Sequence, residues 1–316
     1  MGSLEELVER FVPQGGVLHS WLAAIRKSWW SGVDAALGRV SLRLAIERQW
    51  AHTFHRKLNL AQPCTFNEKL QWLKLYWRDP VAVVCADKLA VRKFVADRVG
   101  AQYLTELYGV YEHPEHINYA ALPDAFVLKT THGSGMNLFC REKSAFDRGR
   151  AEKQLRRWLR TNYGRCNQEW VYEAIRPRIV AEEYLSDGVN LSLRDYKCFG
   201  FDGEVRLVQV DIDRHENHRR NFYDLDWNLL PLQIKFPREP GLRLQRPPRL
   251  AEMVALGREL SRGFPHVRVD LYYVPDRIYF GELTFFHGGG FERFNSDYYA
   301  TLMGTWITLP QRGGAA

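Results

Sequence analysis

An α+β protein, two α+β lobes behind a helical N-terminal region, is the fold class this sequence predicts. Three observations carry that expectation. Apolar residues recur at helical spacing up to about residue 60. An apolar strand meets a glycine loop and resumes as a strand between Leu122 and Cys140. From Asp195 onward, alternating strands dominate, broken by one helical stretch.

Taken in order, Trp21, Ile25, Trp29 and Val33 mark the first helical region. It reads as an appendage packed on the main body, or as a basic amphipathic helix touching a membrane surface. A helix follows from Thr65, with Phe66, Leu70 and Leu73 on one face. Another spans Asp87 to Val99, with Leu89, Val91, Phe94 and Val95 apolar. Ala125-Phe-Val-Leu128 is a strand ending at Lys129, Thr130 to Gly135 a loop, and Met136 to Cys140 a second strand. A helix over Ala151–Tyr163 comes next, then a strand at Arg178–Ala181 running into Glu182-Glu183-Tyr184-Leu185. Asp202-Gly203 turns a hairpin between Asp195–Phe201 and Glu204–Ile212. Pro247–Phe264 is helical, and Pro275-Asp276 joins the last two strands. The divisions expected are 1–63 (helical), 64–120, 121–187 (a lobe with the glycine loop) and 188–316 (a lobe with the final strands).

Composition narrows the function. The chain has 316 residues, 46% apolar, enough for a sizeable core and more than one lobe. No apolar run approaches the ~20 residues of a membrane-spanning helix. Met1-Gly-Ser-Leu-Glu-Glu6 is acidic, lacks a signal-peptide pattern, and puts Glu6 where a myristoylation motif needs Ser or Thr. Five scattered cysteines without a CxxC pair point to free thiols in a reducing compartment, so the expectation is a cytoplasmic protein. A net charge of +7 favours anionic partners. No zinc-finger spacing or aromatic RNA-binding motif occurs, and no nucleic-acid partner is expected.

The final strands hold the strongest chemical signal. Arg268, Asp270 and Tyr272 alternate with Val267, Val269 and Leu271, and Glu282 returns past Asp270 on the next strand. Two carboxylates close together on buried strands need a cation between them. Mg²⁺ suits one or two carboxylates plus phosphate oxygens, which points to a nucleotide-dependent enzyme; a solvated surface hairpin is the competing reading. Lys129, just ahead of Gly133-Ser134-Gly135, can reach phosphate while glycine N–H groups close over it. No Walker motif is present. His287-Gly-Gly-Gly290 resembles an esterase oxyanion loop, but no GxSxG elbow occurs and a serine hydrolase is discarded. Between Asp211 and Asn221, His215 and His218 make a weak zinc pair. Arg219 and Arg220 could hold a carboxylate or phosphate bidentately; a solvated loop is equally consistent.

These segments together resemble the TupA-like branch of the ATP-grasp superfamily, linked to teichuronopeptide and other polysaccharide biosynthesis. The resemblance runs from about Thr65 to the C-terminus. It is carried by Asp87-Lys88, Leu122-Pro-Asp-Ala-Phe-Val-Leu-Lys-Thr-Thr-His-Gly-Ser-Gly135, Arg178-Ile-Val-Ala-Glu-Glu-Tyr-Leu185, Arg194-Asp-Tyr-Lys197, Asp211 to Asp224, Val267 to Leu271, and Tyr279 to Thr284. It implies an ATP-grasp fold with ATP and Mg²⁺ held between antiparallel sheets. Lys88, Lys129 and Lys197, the loop Gly133, Ser134 and Gly135, and the hinge Glu182, Glu183 and Leu185 would hold the nucleotide. Asp270 and Glu282 would ligate Mg²⁺, with Thr284 where many relatives have asparagine. Arg268 and Lys129 would act on the transferring phosphoryl group. Arg214, Arg219, Arg220, Asn221, His287 and Gly288 are the candidates for facing the acceptor. His287-Gly-Gly-Gly290 replaces the branch's more usual Pro-Gly-Ser-Gly type of loop. The activity implied is an amide ligase joining a carboxylate acceptor, such as a uronic acid glycan or an amino acid, to an amine donor through an acyl phosphate. A sugar or small-molecule kinase, and a glycan-binding protein without catalysis, are the alternatives. A homodimer, and a peripheral contact with the inner membrane face or a glycan-assembly complex, are further expectations.

Overall fold

The computed structural model describes residues 41–186, 193–212, 217–274 and 277–312. The stripe from Trp21 to Val33, the Pro275-Asp276 turn, Arg214 and His215 lie outside them. The chain divides into two units, Met1–Lys57 and Leu58–Ala316. In the first, helix α1 (Leu42–Phe54) starts at Ser41, whose hydroxyl accepts from the Leu44 N–H, and buries Ala45, Ile46 and Trp50.

The second unit opens with α2 (Phe66–Tyr76). The Thr65 hydroxyl accepts from the Glu68 N–H while the Glu68 carboxylate accepts from the Thr65 N–H. This reciprocal cap is why Thr-Phe-Asn-Glu starts a helix. An unanticipated helix α3 (Pro80–Ala86) follows, capped by Asp79 with Pro80 in the first turn. The helix expected from Asp87 begins later, as α4 (Val91–Val99). Asp87 Oδ1 accepts from the N–H groups of Leu89 at 2.8 Å and Ala90 at 3.3 Å. Its side chain therefore holds the turn between the two helices, with Lys88 in it.

Four antiparallel strands form the first sheet: β1 (Leu107–Tyr111), β2 (Phe126–Thr130), β3 (Asn137–Cys140) and β4 (Ile179–Glu183), in the order β1-β4-β2-β3. Leu128 pairs with both Leu138 and Ala181, so these share a face with Phe126 and Ile179. That face packs on α5 (Arg148–Leu159) through the fully buried Leu155. Alternation then commits Lys129 and Glu182 to the other face. Helix α5 sits about three residues earlier than expected because Asp147 caps the Arg150 N–H at 2.9 Å. A short α6 (Tyr163–Asn167) restarts at Asn162.

The second sheet has five antiparallel strands: β5 (Asp195–Phe201), β6 (Glu204–Ile212), β7 (Arg219–Tyr223), β8 (Val267–Val274) and β9 (Arg277–Thr284). Their order is β7-β6-β5-β8-β9. Asp202 and Gly203 turn the first hairpin at φ 46° and 85°, as their sequence predicts. Arg219 to Asn221, readable as a loop, instead form strand β7. Helix α7 (Leu250–Ser261) covers one face of this sheet. Helix α8 (Asp297–Thr305) packs on α2, and the fit is close: a Cβ on Gly304 would lie 2.0 Å from the Cys64 carbonyl oxygen.

Candidate active site

The polar face of the first sheet is organised around Glu182. Lys129 Nζ donates to its Oε2 at 2.7 Å, and Arg92 Nη1, from α4, donates to its Oε1 at 3.2 Å. Lys88 Nζ donates to the Gly133 carbonyl, tying the α3–α4 turn to the glycine loop. Burial pushes the Lys88 pKa down, and Glu282 of the second sheet is the largest charge opposing that shift. The two sheets therefore share one electrostatic field at this lysine. His132 anchors the loop base: its Nε2 lies 3.2 Å from the carbonyls of Trp158 and Thr161 at the end of α5. Ser134 and Gly135 remain exposed. Glu183 accepts from the Glu106 N–H at 3.2 Å, and Leu185 lies half-buried just past the end of β4.

On the second sheet, β8 and β9 pair Asp270 directly with Glu282, and Arg268 with Thr284. Arg268 grips Asp270 with two bonds of 2.6 Å, from Nε to Oδ1 and from Nη2 to Oδ2. Its Nη2 also reaches Thr284 Oγ1 at 3.1 Å and Glu282 Oε1 at 3.5 Å, and its Nη1 donates to His287 Nδ1 at 2.7 Å. Lys197, the β5 residue in register with Asp270, donates to Asp270 Oδ2 at 2.7 Å and also to Asp195. Burial alone would raise the Asp270 pKa. Arg268 and Lys197 outweigh it and hold the carboxyl below its ordinary range.

The donors fit Mg²⁺ in part. Glu282 is the open carboxylate, its side chain 31% exposed against 4% for Asp270. The Thr284 hydroxyl donates to Glu282 Oε1 at 3.2 Å while accepting from Arg268, so it orients Glu282. All three donors are hard oxygens, as Mg²⁺ prefers. Among the described residues, no group of three or more His, Cys, Asp or Glu is placed to hold a metal. A Mg²⁺ ion that kept waters and phosphate oxygens would need no more than Glu282 and Asp270.

The acceptor candidates take other positions. Asn221 is fully buried and pins Glu239: its Oδ1 accepts from the Glu239 N–H at 2.9 Å and its Nδ2 donates to the Glu239 carbonyl at 3.0 Å. Arg219 pairs with Glu239. Arg220, 5% exposed, bridges Asp211 at 2.7 Å and Glu292 at 3.0 Å. His287 is buried between Arg268 and Glu292, with Nε2 3.2 Å from Glu292 Oε2. Gly288 backs onto the same Glu292 side chain. Arg220, Glu292 and His287 form one buried polar chain with Arg268 and Asp270, whereas Arg219 and Asn221 meet at Glu239; His218, beside Asp211 at 3.2 Å, stacks on Phe236.

Arg92, Asp195, Glu292, Lys74 and Glu169 escape a reading of the sequence. Lys74 is fully buried, and its Nζ donates to the Gly289 carbonyl at 2.6 Å. Burial lowers its pKa to about 8 and raises that of nearby Glu169 to about 7. One signal was available: Lys74 falls on the apolar stripe of Phe66, Leu70 and Leu73, four residues after Leu70.

Two antiparallel sheets, one with a lysine ahead of a glycine loop and the other with paired carboxylates around an arginine, define the class of protein. The chain belongs to the TupA-like ATP-grasp family, whose model matches residues 68–308. That membership bears out the resemblance and the α+β class expected from the sequence. No curated protein matches. Among solved structures, the D-alanine–D-alanine ligase of Bacillus anthracis complexed with ATP is similar at 17% identity over 64% of this chain and 53% of that one, with a TM-score of 0.36. The ATP-grasp ligase PsnB complexed with its minimal precursor gives 12%, 65%, 53% and 0.36. The Helicobacter pylori D-alanine–D-alanine ligase gives 12%, 78%, 68% and 0.41. The chain spans about half the length of the first two. Among the described residues, no helix is long and apolar enough to cross a membrane.

Proposed function

We propose that this protein is an ATP-dependent carboxylate–amine ligase. It activates a carboxylate as an acyl phosphate, which an amine then attacks. The supporting observation is the pairing of Asp270 with Glu282, with Arg268 reaching both carboxylates. Glu282 and Asp270 would hold Mg²⁺, which supplies charge neutralisation for the phosphate oxygens. Lys88, Lys129 and the loop from Gly133 to Gly135 bind and enclose the triphosphate, with Glu183 and Leu185 at the adenine edge. Arg268 stabilises the phosphoryl group in transit. Exclusion of water by the glycine loop preserves the acyl phosphate. The acceptor in this proposal is a uronic acid of a surface polysaccharide or its precursor, the donor an amino acid or amine, and the setting cytoplasmic; the net positive charge suits an acidic glycan.

Calorimetric titration with a non-hydrolysable ATP analogue, with and without Mg²⁺, tests the site. Mg²⁺-dependent binding is expected, and its loss in Glu282→Gln. Absence of binding in every condition would remove the ligase. ADP release from ATP that needs both a uronic acid and an amine is the second expectation. Release with the sugar alone, leaving a stable phosphorylated product, would make the protein a kinase instead.

A further inference from the structure

We propose that His287 and Glu292 are positioning residues for Arg268, with His287 acting as a neutral imidazole that carries its proton on Nε2. This rests on Arg268 meeting the γ-phosphoryl group, as in the function proposed above. A guanidinium has no acceptor, so its 2.7 Å contact with His287 Nδ1 requires a lone pair on that nitrogen. The single proton of a neutral ring must then sit on Nε2, which lies 3.2 Å from Glu292 Oε2, a close polar contact outside hydrogen-bond alignment. Burial lowers the His287 pKa. Glu292 pulls the other way, while Arg268 and Arg220 add to the lowering, so the neutral ring persists at neutral pH.

The guanidinium presents five N–H groups in a rigid fork. Asp270 takes one edge, through Nε and Nη2, and Thr284 with Glu282 takes the second hydrogen of Nη2. His287 takes one hydrogen of Nη1, which sets the direction of the other. Glu292 is itself held by Arg220 at 3.0 Å and Lys235 at 3.1 Å. The glycine turn makes the approach possible. Gly288, Gly289 and Gly290 have φ of 55°, 63° and 72°, and a Cβ on Gly288 would lie 2.2 Å from Glu292 Cγ. On its far side the turn is gripped by α2: Gln71 Nε2 donates to the Gly290 carbonyl at 2.9 Å and Lys74 Nζ to that of Gly289. The turn thus presents His287 to Arg268 from a fixed base.

Two measurements on the full chain test this. In ¹⁵N-histidine NMR of the wild type at pH 7, the His287 signal, identified by its loss in His287→Gln, should show a bare Nδ1 and a protonated Nε2. A doubly protonated ring, or a proton on Nδ1, would overturn the proposal. The second measurement compares binding of AMPPNP and ADP, each with Mg²⁺. His287→Gln places its amide near the Nε2 position and loses the acceptor for Arg268; it should weaken AMPPNP about tenfold and ADP less than about twofold. His287→Asn restores an acceptor near the Nδ1 position and should recover AMPPNP binding to within about threefold of wild type. Equal weakening of both nucleotides in both variants, or no change in either, would reduce His287 to a structural residue. A wild type that binds neither nucleotide would instead remove the ligase itself, and this proposal with it.

Discussion

At the scale of single residues, Asp270 and Glu282 face each other in register yet sit in different solvents. Asp270 is enclosed by Arg268 and Lys197, whereas Glu282 is nearly a third open. Removing the Asp270 charge leaves two buried cations short of a partner, a change that costs about 3–5 kcal/mol. Asp270→Asn should therefore lose nucleotide binding and lower the melting temperature sharply. Glu282→Gln should lose Mg²⁺-dependent binding with a shift of only a few degrees. Thermal melts beside the titrations separate the two, and equal destabilisation in both would contradict this division of roles. Arg268 and Asp270 were legible together because strand alternation puts them on one face; Glu282 was expected beside them from the hairpin, and the register across it sets the pair. Glu292 was not: its reach to His287 depends on three left-handed glycines, which sequence spacing does not reveal.

At the scale of elements, α2 is tied to the rest of its unit by buried contacts of two kinds. The first is the pair Lys74 and Glu169, both approaching Gly289. A Cβ there would lie 3.7 Å from Lys74 Nζ and 3.8 Å from Glu169 Oε1. Lys74→Met and Glu169→Gln should each destabilise by about 3–5 kcal/mol, and the double variant by clearly less than their sum. Additive losses in chemical denaturation would mean that the two groups do not interact. The second contact is steric. Gly304→Ala forces a methyl onto the Cys64 carbonyl, against backbone that cannot swing away, and should cost about 1–3 kcal/mol or more. A neutral Gly304→Ala would show that α8 can slide on α2. The α2 start was readable from its capping box. The break at Asp87 was not, because a carboxylate that caps its own chain looks, in sequence, like any residue of the first turn.

At the scale of the molecule, buried ionisable groups set the response to acid. Burial lowers the pKa of His132, of His287 and of His266, the last to about 3. Each depressed histidine binds its proton more readily in the unfolded chain, so stability is lost as pH falls below the ordinary value of about 6.5. Asp270, depressed by Arg268 and Lys197 against its burial, and Glu292, depressed by the charges of Arg220 and Lys235 against its own, act in the same direction below about pH 4. Glu169 runs the other way: raised to about 7, it removes stability as pH climbs from about 4.5 to 7. Three histidines against one glutamate predict a melting temperature that falls from about pH 6.5 downward. A profile flat between pH 7 and 5 would contradict it.

The sequence by itself determined the α+β class, the β5–β6 hairpin, the glycine loop after Lys129 and the arginine–carboxylate pattern of the last strands. These follow from periods of two and 3.6 residues and from turn chemistry, which are local. Only the tertiary structure decided that Lys129 and Arg92 share Glu182, that Lys197 comes to Asp270, that Arg219 to Asn221 are a strand, and that His287 stands between Arg268 and Glu292. Each of these joins residues far apart in the chain or on strands whose register is set across the sheet. Charges of opposite sign meet there because burial leaves them no water, and which partner each one meets depends on packing that no local pattern encodes.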